Sequence, residues 1–161
     1  MAQGKTTLPW TRSCFVCGQD NPNGLHLTSR FENGIVVIDY TPRDTDRGWR
    51  HIVHGGIAIT LLDEVMTWAA IIEAHAACVS AEISTRLRKP IPVGQTLRIE
   101  GKTAGGKARL MLTEGRILDD AGGVLATATG KYLPMPAGEL ALCEKDFVIS
   151  SDSIPPSEIF R

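Results

Sequence analysis

Charge imbalance is the first thing this chain lacks. Seventeen Lys and Arg stand against eighteen Asp and Glu, a formal net charge of −1 over 161 residues. No long-range field then gathers nucleic acid or an anionic membrane, so an anionic ligand has to be held by local cations. Aromatic residues are also few, at 6%, and Trp10, Trp49 and Trp68 are scattered without interleaved basic residues. That excludes a stacking platform for nucleic acid. Of the four cysteines, only Cys14 and Cys17 lie close together; Cys78 and Cys143 stand apart. There is thus no disulfide framework, and no basic stretch leading into an apolar one with a cleavage site, so a reducing cytoplasm is expected. Repeats are absent, and so is an unbroken apolar run. The most apolar window, Ile52 to Val79, is interrupted by Asp63, Glu64 and Glu73 and reads as a core helix, not as a membrane span.

What is present fits one globular unit: 43% of residues are hydrophobic and 22% charged. Leu25 to Phe31 alternates, Asn33-Gly34 follows, and Ile35 to Tyr40 is rich in β-branched residues, which predicts a hairpin of two antiparallel strands. Thr41 to Val53 reads as a surface loop. From Gly55 to about Ala76 the chain is proline-free and too long for a strand, so one helix is expected there. Four strands follow, over Val79 to Lys89, Gln95 to Thr103, Lys107 to Leu118 and Val124 to Leu133. Turns at residues 90–94, 104–106 and 119–123 separate them. The resulting class is α+β, a curved antiparallel sheet of about six strands around one long central helix. Residues 1–24 form an N-terminal segment, 25–134 the domain, and 135–161 a C-terminal extension that packs on the surface or is partly disordered.

Chemistry concentrates on the helix. His54-Gly55-Gly56 opens it, and Asp63 follows about two turns in. Two glycines at a helix start leave N–H groups free to polarise a carbonyl, and a nearby carboxylate can act as general base or nucleophile. The same glycines equally suit a tight helix entry and nothing more. Thr60, Asp63, Glu64 and Thr67 make one polar stripe on an otherwise apolar cylinder, so this stripe is expected to face a cavity, an interface or a partner. Arg86, Arg88 and Lys89 are the best local cluster for an anionic ligand, or are simply solvated strand charges. The Cys14-x-x-Cys17 pair lacks a second pair at zinc spacing, with only His26 and distant Cys143 to recruit, and no βαβ setting for redox chemistry surrounds it. Small cysteines packing the N-terminal segment are expected, with no metal and no cofactor.

Three strings carry a resemblance: His54 through Asp63, the run Arg88-Lys89-Pro90-Ile91-Pro92-Val93-Gly94, and Cys14-Phe15-Val16-Cys17-Gly18 with Asn21-Pro22-Asn23-Gly24-Leu25. Over roughly residues 14 to 134 the chain resembles the PaaI-like branch of the hotdog-fold acyl-CoA thioesterases. The resemblance implies hydrolysis of an acyl-CoA thioester at the interface of a homodimer or a dimer of dimers. It implies Asp63 as general base or nucleophile, with Gly55 and Gly56 as carbonyl-polarising N–H donors, Gly56 foremost. His54 would orient the loop or touch the thioester, and Ser80 would lie near the nucleophilic water. Arg86, Arg88 and Lys89 would meet the phosphates of coenzyme A, with Glu64 and Thr67 also facing substrate. One departure stands out. Relatives carry a polar helper six residues before the HGG histidine, and this chain has Gly48. Either the backbone suffices, or Arg50 or His51 substitutes, or turnover is slow; the alternative is a module that binds acyl-CoA without cleaving it, or a structural dimer.

Overall fold

In a computed structural model, residues 6–107, 109–136, 138–139 and 145–160 are described; Cys143 lies outside them. The Asn33-Gly34 signal forms its hairpin: β3 (Arg30–Glu32) pairs antiparallel with β4 (Ile35–Tyr40). The first strand is shorter than the alternation suggests. Leu25, Leu27 and Ser29 are buried, but their backbone partners come from the N-terminal segment, with Leu25 N–H on Phe15 O and Leu27 N–H on Val16 O. A short hairpin of β5 (Arg47–Trp49) and β6 (Ile52–Val53) then delivers the chain to α1 (Gly55–Ala74).

β1 (Thr6–Thr7), β7 (Cys78–Leu87), β8 (Leu97–Lys107), β9 (Leu110–Leu118) and β10 (Val124–Pro134) join β3 and β4 in one sheet, ordered β1-β3-β4-β8-β9-β10-β7. All six expected strands are there, and β1 makes a seventh. The sheet packs α1 from β4, β7, β8, β9 and β10, the hotdog arrangement. Leu61, Leu62, Val65 and Met66 are fully buried on that helix, each contributing about 1.5–3 kcal/mol by leaving water. The helix is long and apolar enough to cross a membrane, and here it spends that apolar surface on the sheet.

Two details differ from the sequence reading. The expected turn at residues 104–106 is an irregularity inside β8, where the register shifts between Thr103 and Gly105. Gly105 and Gly106 take φ of +110° and +147°, which only glycine adopts freely, so the strand bulges and runs on to Lys107. The C-terminal stretch is also no mere surface strap. β2 (Trp10–Thr11) pairs with β11 (Phe147–Val148), and Ile154, Ile159 and Phe160 are buried in the same core, the last two at the end of α2 (Pro156–Ile159). Phe147 stacks at 6.2 Å from Trp68 and 5.7 Å from Phe160. The N- and C-terminal segments therefore cover one flank of α1 together.

Candidate active site

The entry to α1 is fixed from both sides. His54 N–H donates to Asp46 O at 2.9 Å, and the His54 ring caps the helix: its Nδ1 accepts from Gly56 N–H at 2.9 Å. The expectation that Gly56 is the foremost free donor is thereby corrected, because the imidazole of the N-cap residue, two positions earlier, accepts that N–H. Gly55 N–H has no partner among the described residues. Gly48 lies directly beneath this histidine. A Cβ there would come within 3.0 Å of His54 Cα and Cδ2, so the place of the polar helper is filled by the ring itself. Arg50 and His51 are exposed on the β5–β6 hairpin.

Beside the helix entry is a groove of about 380 Å³ lined by Ile52, Gly55, Ala58, Leu87, Arg88 and Lys89, among others. Arg88 and Lys89 are held there by backbone bonds from both N–H groups to Leu125 O, at 2.8 and 3.1 Å. Neither forms an ion pair among the described residues. Arg86 does not line the groove; it stands on β7 opposite Thr127. A larger hollow of about 480 Å³ lies over the sheet; Arg88 borders it too, its Nε donating to Thr127 Oγ1 at 3.4 Å, while Glu100 meets Arg116 at 2.7 Å and Lys102 meets Glu114 at 3.5 Å. The groove at the helix entry is the better anion site because Arg88 and Lys89 line it together and neither is ion-paired among the described residues.

Two turns along α1, the polar stripe divides. Thr60 Oγ1 donates back to Gly56 O at 2.9 Å. Half-buried Asp63 accepts from the Tyr132 hydroxyl at 2.8 Å and from Thr67 Oγ1 at 3.3 Å. Burial and the charge of Asp63 push the Tyr132 hydroxyl far above the usual phenol range, so it remains a donor to the carboxylate. Ser80 is the cross-strand partner of Tyr132, next to a bulge at Ala81, where Lys131 pairs with Glu82 and Tyr132 with Ser80. That one extra residue turns Ser80 to the side of the sheet from which Tyr132 reaches Asp63.

Glu64 points elsewhere, and neither it nor Thr67 lines the groove. The Trp68 indole donates to Glu64 Oε1 at 3.2 Å, and Cys14 Sγ, Cys17 Sγ and a Glu64 oxygen lie within 4.8 Å of one another. Burial pushes the Glu64 carboxyl up to about 7, with the neighbouring Cys14 and Asp63 adding to it. The Cys17 thiol, directed at Cys14, holds Cys14 well below the ordinary thiol range and is itself held above it. Tyr132 and Glu64's thiol neighbours are the residues the sequence reading missed. They lie 69 and about fifty positions from their partners on α1, and although the Cys14-x-x-Cys17 spacing is visible in the sequence, nothing local joins it to Glu64 or Tyr132 to Asp63.

Residues 51–126 match the family model of the thioesterase superfamily. No curated protein matches the chain. Among solved structures, a thioesterase superfamily protein is 27% identical, with a TM-score of 0.67 over 76% of this chain and 60% of that one. A Streptococcus mutans protein bound to acetyl CoA is 22% identical, TM-score 0.61, covering 65% of this chain and 84% of that one. The E. coli PaaI protein of the phenylacetic acid degradation operon is 18% identical, TM-score 0.62, covering 70% and 81% respectively. The family match spans α1, its HGG entry and strands β7 to β9, so this stretch is similar to the thioesterase superfamily, and the fold around it is the hotdog.

Proposed function

We propose that this protein hydrolyses an acyl-CoA thioester to the free acid and coenzyme A, with Asp63 as general base or nucleophile. One observation carries the reading: among the described residues Asp63 is positioned by two hydroxyl donors and no cation, on the helix whose unclaimed Gly55 N–H borders the Arg88–Lys89 groove. A carboxylate so held stays oriented, as a base toward water requires. Water attacks the carbonyl carbon and gives its proton to Asp63. The C–S bond breaks, and the departing thiolate of coenzyme A takes up a proton. Arg88 and Lys89 hold the coenzyme phosphates. The solved Streptococcus structures with acetyl CoA and with coenzyme A support this ligand class.

Helix geometry adds a condition. Asp63 lies eight residues beyond Gly55, about 12 Å along the axis at 1.5 Å per residue. One thioester, whose oxygen and attacking water must each be within about 3 Å of their partners, cannot span both groups of one helix. In this reading the Gly55 amide of one protomer therefore serves the Asp63 of its partner. β7 supports such a pairing: it is a ten-residue edge strand with Val79 48% and Leu87 51% exposed, and such edges are normally covered.

Thiol release from short, long and aromatic acyl-CoAs tests the reading. Wild type is expected to turn over at least one class, Asp63→Ala none. Gly55→Pro removes the N–H where the first helical turn tolerates proline. Mixing the two inactive variants and allowing subunit exchange should restore activity. Acyl-CoA binding without thiol release by the wild type would instead identify a binding module.

A further inference from the structure

On the other flank of α1, the Cys14–Cys17–Glu64 cluster plays no part in the proposed hydrolysis. Its geometry is nonetheless built. Val16 N–H donates to Cys14 Sγ at 3.3 Å, and Gly18 N–H closes the turn onto Cys14 O at 3.0 Å. A Cβ at Gly18 would lie 2.4 Å from Cys14 O and 2.7 Å from Arg12 O, so the tight Cys-x-x-Cys-Gly turn admits only glycine there. Such a turn, with an amide aimed at the first sulfur, brings both sulfurs to one side, as in one half of a thiolate metal centre. The third ligand comes from a different element. Glu64 is turned to the sulfurs, and the Trp68 indole fixes the orientation of its carboxylate at 3.2 Å, the outer support that metal-binding carboxylates receive. Three groups able to carry negative charge converge here, and no basic side chain is paired with any of them among the described residues.

We propose that Cys14, Cys17 and Glu64 bind one Zn²⁺. Two thiolates and one carboxylate suit a borderline-soft, tetrahedral ion, with water in the fourth position, since no fourth His, Cys, Asp or Glu joins the cluster among the described residues. Bonds of about 2.3 Å place two sulfurs roughly 3.8 Å apart. Atoms already within 4.8 Å reach that by side-chain rotation. Binding takes the three ligands to their deprotonated forms, any proton on Cys14, Cys17 or Glu64 passing to solvent. The ion would tie the segment around β2 to the residue adjoining Asp63. The inference does not depend on thioester hydrolysis, and neither does its test.

The test uses the full chain, stripped with chelator and then titrated with Zn²⁺ and, as a spectroscopic probe, Co²⁺. One ion per chain is expected, with a thiolate-to-cobalt charge-transfer band. Cys14→Ser with Cys17→Ser should abolish both, and Glu64→Gln should weaken binding at least about tenfold. Cys78→Ser, outside the cluster, should change nothing. X-ray absorption on the zinc-loaded wild type needs no variant to fold, and should give two sulfur ligands with the remainder oxygen or nitrogen. A wild type that binds no more Zn²⁺ than the double serine variant, a shell of zero or four sulfurs, or unchanged affinity in Glu64→Gln would overturn the proposal.

Discussion

Carboxylates shielded from water occur in two settings in this protein. On the sheet and in the loop before α1, Glu100, Glu32 and Asp46 are each matched by a guanidinium. Glu100 meets Arg98 and Arg116, both at 2.7 Å, Glu32 meets Arg30 at 2.9 Å, and buried Asp46 meets Arg43 at 2.8 Å. Burial alone would raise the pKa of Asp46 and of Glu100, yet the hydrogen bonds from Arg43 and Tyr40, and from Arg98 and Arg116, outweigh it and hold both below the usual range. On α1 the neighbours are hydroxyls for Asp63 and an indole and two thiols for Glu64. The protein neutralises the first set itself. It leaves the second set without a cationic partner among the described residues, and the proposed roles of Asp63 and Glu64 rest on that difference.

Exchanging chemistry between the settings tests the distinction. The largest effect is expected for Asp63→Asn, which keeps the shape and removes the base: kcat/KM should fall about 10²–10⁴-fold, with the melting temperature near that of wild type. Thiol release and a thermal melt measure both, and a strongly destabilised but active variant would merge the two classes.

Asp46→Ala should do the reverse. Removing the acceptor of Tyr40 and Arg43 is expected to cost about 2–4 kcal/mol in urea unfolding, toward the lower side for a pair whose arginine is partly exposed. Because the folded pKa of Asp46 is depressed, its stabilisation is complete above the unfolded value of about 3.9 and is lost as pH falls through the folded one. Acid unfolding of the variant should accordingly be less steep below pH of about 4.

A smaller effect belongs to the groove cations. Arg88→Ala with Lys89→Ala should raise KM for acyl-CoA roughly tenfold while kcat stays within about twofold, and should flatten the salt dependence of kcat/KM. Equal loss with a substrate lacking the coenzyme phosphates would remove these residues from phosphate binding. Smallest is Tyr132→Phe. Deleting one of two hydroxyl donors to Asp63 should lower kcat about 2- to 10-fold, with KM unchanged, as steady-state kinetics would show.

Much of the fold was legible because its signals are local. Asn33-Gly34 marks a hairpin, and the proline-free run from Gly55 marks a helix, on short-range chemistry alone. Reading Ala104-Gly105-Gly106 as a turn missed a bulge, since glycine satisfies both and only the cross-strand register with β9 separates them. In the candidate site, His54 and the two glycines were evident, but the capture of Gly56 N–H by the imidazole depends on a ring rotamer packed over Gly48. Ser80 faces Tyr132 only because one extra residue enters β7.

The sequence by itself determined that a buried helix carries two adjacent carboxylates behind an HGG entry, because helical periodicity and apolar content are properties of consecutive residues. Which carboxylate does what was decided by the tertiary structure. Adjacent helical positions diverge by about 100°, so the apparent single stripe opens onto two flanks. β10 brings Tyr132 to Asp63, while the N-terminal turn brings Cys14 and Cys17 to Glu64. Those partners lie far away in the chain and meet the helix only once the sheet has closed around it.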